Sequence, residues 1–540
     1  MATGTTLQQM KNLIRNIIIY LLLPLYSLAQ PSEWEWAAAG SGPQQERGYD
    51  IVSDNYGNVY VVGTFEASFT LGSEFNQSQG NGDIFIAKFN AQGETVWIRS
   101  EGGTGLDEGF SIAIDGNNDL YISGSFSGTI SVGNTSYTAE GGSDILLMKY
   151  DSAGNTIWAK TWGGLNNDQG ISVAVNSDRL YLTGNFCGVV DFDVTTLQCV
   201  GNRNVFTMKL DTTGTVTWVK RAGGTGSDYA ADINVMADGP TITGTSNSYT
   251  MYFGIQALPD VQMFIAHYND TTGNIIWAKG AKGMNTEQLH GSALGTDANG
   301  NIYLVGYCSN AQSINFGTTI LSNAAGYVAK YNASGTLLWV KDIADYGRVF
   351  LRSIALDTWG NLFVAGYQRG LAVYNSDTVF NNMNDEVLVA KLDNGGEVLW
   401  TAVAGGSGSD GAYSIALGNN ASVFSTGYFS SSGCDAAFGY ITLGCGGGQD
   451  MYTAALSQTT GLPEIRSGKK NLLVYPSPAH EVIYVRELNG TIKYKITSIT
   501  GAEITHGQLD NQNNSINIQG LPPGIHLLHA GSEVHKLVKE

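Results

Sequence analysis

The chain has 540 residues, 70 of them glycine and only 10 proline, with 14% charged side chains, a composition that suits many tight turns and argues against helices or disorder. Its formal charge of −19 supplies no basic stripe to neutralise phosphates, which excludes a nucleic-acid binder. The acid is concentrated centrally: residues 1–30 carry two basic groups and residues 464–540 eight basic against seven acidic, leaving 18 basic and 40 acidic between them.

At the start, Lys11 and Arg15 precede the apolar run Ile17 to Leu28, and Ser27-Leu28-Ala29 stands before Gln30. A charged segment, a short apolar run and small residues make a secretory signal peptide over residues 1–29, cleaved after Ala29. The run is too short to span a bilayer, and no other stretch approaches that length, so no transmembrane span is expected in the mature chain.

Next comes a repeat, clearest in Phe110 to Gly170. It holds four β-type runs, FSIAID, DLYISGSF, DILLMKYD and TIWAKTW, separated by GNND, a long Gly/Ser/Thr-rich connection, and SAGN. Equivalent tryptophans fall at Trp36, Trp97, Trp158, Trp218, Trp277, Trp339 and Trp400, at intervals of 61, 61, 60, 59, 62 and 61 residues. A glycine inside the second run recurs as Gly63, Gly124, Gly184, Gly244, Gly306, Gly366 and Gly427. The last copy stops after its third run near Met451–Leu456, and the isolated run around Trp36 supplies the missing fourth. An all-β fold is expected over residues 31–462: a seven-bladed β-propeller closed by its N-terminal strand, which removes two exposed edges.

Each third run ends in a lysine step, then an acid or amide and a glycine three residues on, as in Asp151/Gly154 and Asp211/Gly214. That is hairpin-turn chemistry, and the tryptophan four residues later is expected to pack between blades. Cys187 with Cys199, and Cys434 with Cys445, flank similar connections and are disulfide candidates in an exported chain; Cys308 is left over as a buried thiol.

Glu46, Asp107, Asp168, Asp228 and Asp410 recur just before the first run of their copies. Two readings follow. A carboxylate ring at a channel mouth would bind a ligand or a hard cation, with calcium the one cofactor it suggests; alternatively each carboxylate accepts backbone N–H bonds within its own loop. The turns Asp54–Asn58, Asp297–Asn301 and Asp357–Asn361 resemble fragments of calcium loops but lack further acidic ligands, so they are taken as hairpin turns. No nucleophile is paired with a base, and catalysis would fall to channel carboxylates, Asp107, Asp168 and Asp228 first, in a polysaccharide hydrolase or lyase. Asp211 to Trp218 resembles the tryptophan-docking motif of quinoprotein dehydrogenases, but those repeats are shorter, and their adjacent cysteine pair is absent here.

Residues 463–471 form a linker containing Arg466-Ser467-Gly468-Lys469-Lys470, followed over 472–540 by seven short alternating runs that suggest a small C-terminal β-sandwich. Val474-Tyr475-Pro476-Ser477-Pro478-Ala479, Gly501, Leu521-Pro522-Pro523-Gly524-Ile525 and Lys536-Leu537-Val538-Lys539 resemble the C-terminal sorting domain of type IX secretion cargo, with Ser477 where that family has Asn and His526 where it has Tyr. The resemblance implies the type IX machinery as a partner and export to the surface of a Bacteroidetes-type bacterium. Residues 34–457 are similar to SBBP-type β-propeller repeats, which bring no assigned reaction. Together these imply a secreted or cell-surface scaffold for a glycan or protein ligand, its specificity carried by loops on a rigid ring.

Overall fold

The computed structural model describes residues 34–457, except 285–287, 345, 375–376, 380–383, 419–421 and 431–434, and residues 473–539, except 476–480, 487–491, 499–502, 511–513 and 531–532. The signal peptide with its cleavage point at Ala29, the linker, Cys434, Ser477 and Gly501 therefore lie outside the described residues. The chain divides into two compact units, Met1–Gln458 and Thr459–Glu540. All regular structure in the described residues is strand, and no helix is long and apolar enough to cross a membrane.

The first unit is organised by β1 (Trp34–Ser41), by the inner strands β2 (Glu46–Ser53), β3 (Glu108–Ile114), β4 (Gln169–Asn176), β5 (Asp228–Met236), β6 (Leu289–Thr296), β7 (Tyr346–Leu356) and β8 (Gly411–Leu417), and by β9 (Gln449–Leu456). Each inner strand opens an antiparallel sheet continued by a second, third and fourth strand, as Glu46–Ser53, Val59–Phe65, Asp83–Phe89 and Thr95–Gly103 do. Second strands are buried end to end on both faces, which explains their nearly unbroken apolar sequence. Each inner strand packs on the next from β2 to β8, and β8 packs on β2. β1 pairs antiparallel with β9, from Trp34 opposite Leu456 to Gly40 opposite Met451.

Two sequence landmarks find physical causes here. Every inner strand carries a one-residue bulge, between Gly48 and Asp50 in β2, Gly109 and Ser111 in β3, and at the matching place in β4 to β8. The preceding carbonyl is driven against the second-strand glycine, so that a Cβ on Gly63 would lie 1.9 Å from Arg47 O and one on Gly124 2.1 Å from Glu108 O. Only glycine fits. The repeating tryptophans dock between sheets onto the next hairpin turn: Trp36 Nε1 donates to Ala91 O (3.1 Å), Trp158 Nε1 to Thr212 O (3.2 Å) and Trp218 Nε1 to Asp270 O (2.8 Å).

The long Gly/Ser/Thr-rich connections hold more structure than their composition suggests. Most fold into a hairpin that adds to the fourth strand of the preceding copy. Ser68–Leu71 pairs with β1, Thr129–Val132 with Thr95–Gly103, Thr250–Phe253 with Val216–Gly223, and Asp435–Phe438 with Val398–Gly406. Alternation drives this, since Phe69 and Leu71, Ile130 and Val132, and Met251 and Phe253 all point inward and are buried. The hairpin Val189–Asp191 with Thr196–Gln198 pairs only with itself and is tied to its neighbour by Trp162 Nε1 donating to Asp193 (2.9 Å).

The second unit has a three-stranded sheet (Leu473–Tyr475, Val482–Arg486, Ser515–Asn517) and a four-stranded one (Ile492–Ser498, Glu503–Leu509, Gly524–Ala530, Glu533–Lys539). Ile483, Val485 and Ile516 from one sheet share a single apolar cluster with Ile496, Leu509, Leu528 and Leu537 from the other. His526 is buried, and its Nε2 lies 2.8 Å from the carbonyl of Pro522.

Candidate functional site: the channel between the inner strands

The inner strands enclose a cavity of about 450 Å³, within the range of small-ligand sites. The residue after each bulge forms a belt around its wall: Asp50, Ser111, Ser172, Asp232, Ala293, Ser353 and Ser414. Asp50 accepts from Ser111 Oγ (2.9 Å) and Ile112 N (2.9 Å) on one neighbour and from Ser414 Oγ (2.7 Å) on the other. Asp232 accepts from Ser172 Oγ (2.8 Å) and Leu294 N (2.8 Å), and Ile415 N donates to Ser353 Oγ (3.2 Å). The belt thus stitches strand to strand, and Ala293, with no polar atom, interrupts it.

Asp50 and Asp232 are half-buried and line the cavity, with protein packed around the rest of each side chain. Burial pushes both carboxyls above the usual carboxylate range, Asp232 to about 7, with the charge of Asp50 adding to that rise.

Above the belt, bulged residues and their neighbours form an aromatic rim. Tyr49 lies 5.3 Å from Tyr413 and 5.9 Å from Phe110, and Tyr413 lies 5.2 Å from Tyr428. On the other side Phe350 stacks on Tyr367 (4.7 Å) and His290 on Tyr307 (4.6 Å). The Arg352 guanidinium sits 4.7 Å from the Tyr307 ring and 5.7 Å from the Tyr367 ring. Burial, with the charge of Arg352 second, holds His290 down at about 4, so this imidazole is neutral at pH 7. Arg47 donates to Gln449 (2.7 Å), Arg203 lies over Tyr229 (5.3 Å), and Arg369 forms a two-toothed ion pair with Asp385 (2.7 and 2.7 Å). Of these four arginines, Arg352 lines the cavity.

The recurrent acids before the inner strands are elsewhere. Glu46, Asp107, Asp168, Asp228 and Asp410 are all fully buried, so they do not form an open ring at a channel mouth. The four aspartates clasp their own loops, the second of the two readings, whereas both carboxyl oxygens of Glu46 are buried without a hydrogen-bond partner. Asp107 accepts from Gly103 N (2.8 Å) and Ser127 N (3.3 Å), Asp168 from Gly164 N (2.9 Å) and Cys187 N (2.9 Å), and Asp410 from Gly406 N (2.6 Å) and Ser430 N (3.0 Å). Asp228 accepts from Gly224 N (2.7 Å) and from the hydroxyls of Ser246 (2.5 Å) and Ser248 (2.9 Å). At Glu46 the same place is held by Gly42, whose N–H donates to Asp450 (3.2 Å) beside the Glu46 carboxyl. Burial raises Glu46 to about 8, Asp107 to about 7, and Asp168 and Asp410 to about 6, each rise reinforced by an acid from the preceding sheet: Asp450, Asp83, Asp144 and Asp385. For Asp107, Asp168 and Asp228 this burial removes the access to substrate that hydrolysis would require.

The turn acids Asp54, Asp297 and Asp357 spend their oxygens on local donors; Asp54, for example, accepts from Tyr56 N, Asn58 N, Asn58 Nδ2 and Tyr60 OH. Cys187 and Cys199 are free thiols whose side chains are hydrogen-bond partners, while Cys445 is disulfide-bonded.

Sequence reasoning overlooked the channel residues. The signal was nonetheless present, as a small polar residue before a branched one four places past each of the five recurrent acids, Asp50-Ile51, Ser111-Ile112, Ser172-Val173, Asp232-Ile233 and Ser414-Ile415, and four places past Val349 in Ser353-Ile354.

Comparison with known proteins adds the export signal. Residues 473–540 match the secretion system C-terminal sorting domain. The chain is 23% identical over 504 residues to an uncharacterized WD repeat-containing protein of Acanthamoeba polyphaga mimivirus, covering 73% of this chain and 36% of that protein. It is 24% identical over 302 residues to the regulatory protein FlaEY of Caulobacter vibrioides, covering 49% and 30%. The chain thus spans about a third of the length of the curated relatives it matches. Among solved structures it is similar to the WD40 β-propeller domain of Doa1, at 10% identity and a TM-score of 0.42, covering 80% of this chain and 98% of that one. Recurring four-stranded sheets around a common set of inner strands, followed by this tail, identify the chain as a β-propeller repeat protein with a type IX C-terminal sorting domain, secreted or displayed at the cell surface.

Proposed function

We propose that the exported protein is a binding scaffold: a seven-bladed ring, closed by β1, that takes a surface glycan or protein ligand at the rim of its channel, with the tail forming a small β-sandwich engaged by the type IX machinery. Support for closure comes from the β1–β9 pairing and the packing of β8 on β2. Support for the sandwich comes from one apolar cluster shared by two sheets. The observation that carries the binding reading is the set of aromatic rings Tyr49, Phe110 and Tyr413 lining a cavity sized for a small ligand, with Tyr307 and Tyr367 packed on the cavity-lining Arg352.

A glycan array probed with the purified protein, followed by turnover assays on each hit, tests the proposal. Binding without turnover is expected, weakened tenfold or more by Tyr413→Ala with little change in melting temperature. Hits that Tyr413→Ala leaves unaffected would move the site off the channel, and turnover of a hit would replace the scaffold by an enzyme.

A further inference from the structure

The rim has a polar defect on one side. Arg352 is the bulged residue of β7, and Ser292 is the bulged residue of the adjacent strand β6; both line the cavity. The Nε of Arg352 and the Oγ of Ser292 are buried atoms without a hydrogen-bond partner. Arg352 makes a long bond from Nη2 to Tyr367 OH at 3.5 Å, lies within hydrogen-bonding reach of the Tyr307 hydroxyl, and has no ion pair among the described residues. Tyrosine faces offset part of its charge, but they cannot accept from the guanidinium fork. An enclosed cation with an idle Nε, on the strand next to an idle hydroxyl at the same level, calls for an anionic acceptor. Arg369, by contrast, has Asp385.

Resting on the reading of the channel as the ligand site, we infer that Arg352 and Ser292 hold the acidic group, carboxylate or sulfate ester, of an acidic sugar unit seated in the channel. Nε and Nη2 of this guanidinium match such a planar or tetrahedral oxyanion with two parallel hydrogen bonds once the long bond from Nη2 to Tyr367 is exchanged for the ligand. The rings of Tyr49 and Tyr413 offer flat faces for the sugar's C–H surface. Asp50 and Asp232 on the belt add acceptors for hydroxyl donors. The same two carboxylates disfavour a polyphosphate, whose several charges would face them across the cavity. A folded protein surface is too large for a cavity of about 450 Å³, which leaves a terminal or side-branch sugar as the fitting occupant.

Calorimetry on the full chain with three probes tests the assignment: a uronate oligosaccharide, a sulfated galactose oligosaccharide, and the neutral galactose oligosaccharide of equal length. At least one acidic probe is expected to bind tenfold or more tighter than the neutral one, and whichever acid is preferred identifies the source of the charge. Arg352→Lys, which keeps charge but loses the fork, is expected to cost the acidic probe tenfold or more while leaving neutral binding within about twofold. Ser292→Ala, a mild change that preserves packing, should cost severalfold, and it carries the test if Arg352→Lys lowers the melting temperature. Equal binding of acidic and neutral probes would overturn the acidic-sugar assignment while leaving the channel as a glycan site. Acid preference indifferent to both variants would overturn the role of Arg352 and Ser292. Absence of binding by all three probes would sink this inference, whereas array hits of another class would keep the wider binding reading alive.

Discussion

A chain lacking Trp34–Ser41 is expected to lose its cooperative melting transition or to aggregate. β1 is held from both sides: its backbone pairs with β9 along Trp34–Gly40, and its end pairs with Ser68–Leu71, from the first complete copy of the repeat. Its indoles add to this. Trp34 meets Phe438 edge-on at 4.9 Å, while Trp36 lies 6.1 Å from both Phe89 and Phe424, rings that belong to opposite ends of the repeat array. Burying two such side chains is worth roughly 2–3 kcal/mol each, and each ladder hydrogen bond about 1 kcal/mol net. The sum approaches the whole stability of an ordinary domain, about 5–15 kcal/mol. Removal would also bare the edge of β9, where Met451, Tyr452, Ala454 and Leu456 are fully buried, as an unpaired template for aggregation. Differential scanning calorimetry of the shortened and full chains checks this; an unchanged melting temperature would contradict it.

Stability is expected to fall as pH rises from about 4 to 8, and Asp144→Asn to relieve part of that loss. Four of the recurrent acids have folded-state pKa values raised by burial, up to about 6 for Asp168 and Asp410, 7 for Asp107 and 8 for Glu46. In the unfolded chain the same groups titrate near ~4. Between those limits the folded protein holds more protons than the unfolded one, so their stabilising contribution is complete below about pH 4 and drains away as pH climbs through the folded values.

One junction shows the remedy. Asn204 pairs opposite Phe186 as Asp144 does opposite Phe126, and Val200 N donates to Asn204 just as Glu140 N donates to Asp144. The amide nitrogen of Asn204 then donates to Val200 O (3.0 Å), Arg203 O (2.9 Å) and Gly224 O (3.2 Å). At Asp144 the corresponding oxygen, Oδ1, is buried with no partner. By analogy with Asn204, an ionised carboxylate there has no donor to offer the surrounding backbone, whereas an amide, or a protonated acid, has one. Asp144→Asn should therefore gain about 1–3 kcal/mol at pH 8 and little at pH 4, read as a higher denaturation midpoint at the higher pH alone. Destabilisation at both pH values would show that the carboxylate is needed in charged form.

Much of this architecture was legible because it repeats. The tryptophan recurs where an indole must reach the next hairpin turn, and the second-strand glycine where a bulge leaves no room for a Cβ. Local alternation in the tail, with Leu521-Pro522-Pro523-Gly524, exposed the sorting domain in the same way. What the repeat hid was partnership at a distance. Ser68–Leu71 reads as part of a polar connection until its edge is matched to a strand of the preceding copy.

Acid at Asp107 and Asp168 was visible, but its environment was not. Whether such a carboxylate faces a channel or turns back on Gly103 and Gly164, four residues earlier, is decided by the loop's fold. Asp50, Asp232 and Arg352 escaped notice for the opposite reason, since each appears at its place in only one or two copies and breaks the pattern that drew the eye to the others.

The ring on which the channel depends is tested most directly by a cross-link. Ala38 of β1 stands opposite Thr453 of β9, and Cα atoms in antiparallel register are close enough for a disulfide. The double variant Ala38→Cys, Thr453→Cys, oxidised in its folded state and digested, should yield a peptide joining positions 38 and 453 by mass spectrometry. A thiol at position 38 that remains free in the folded, oxidised protein would contradict closure by β1.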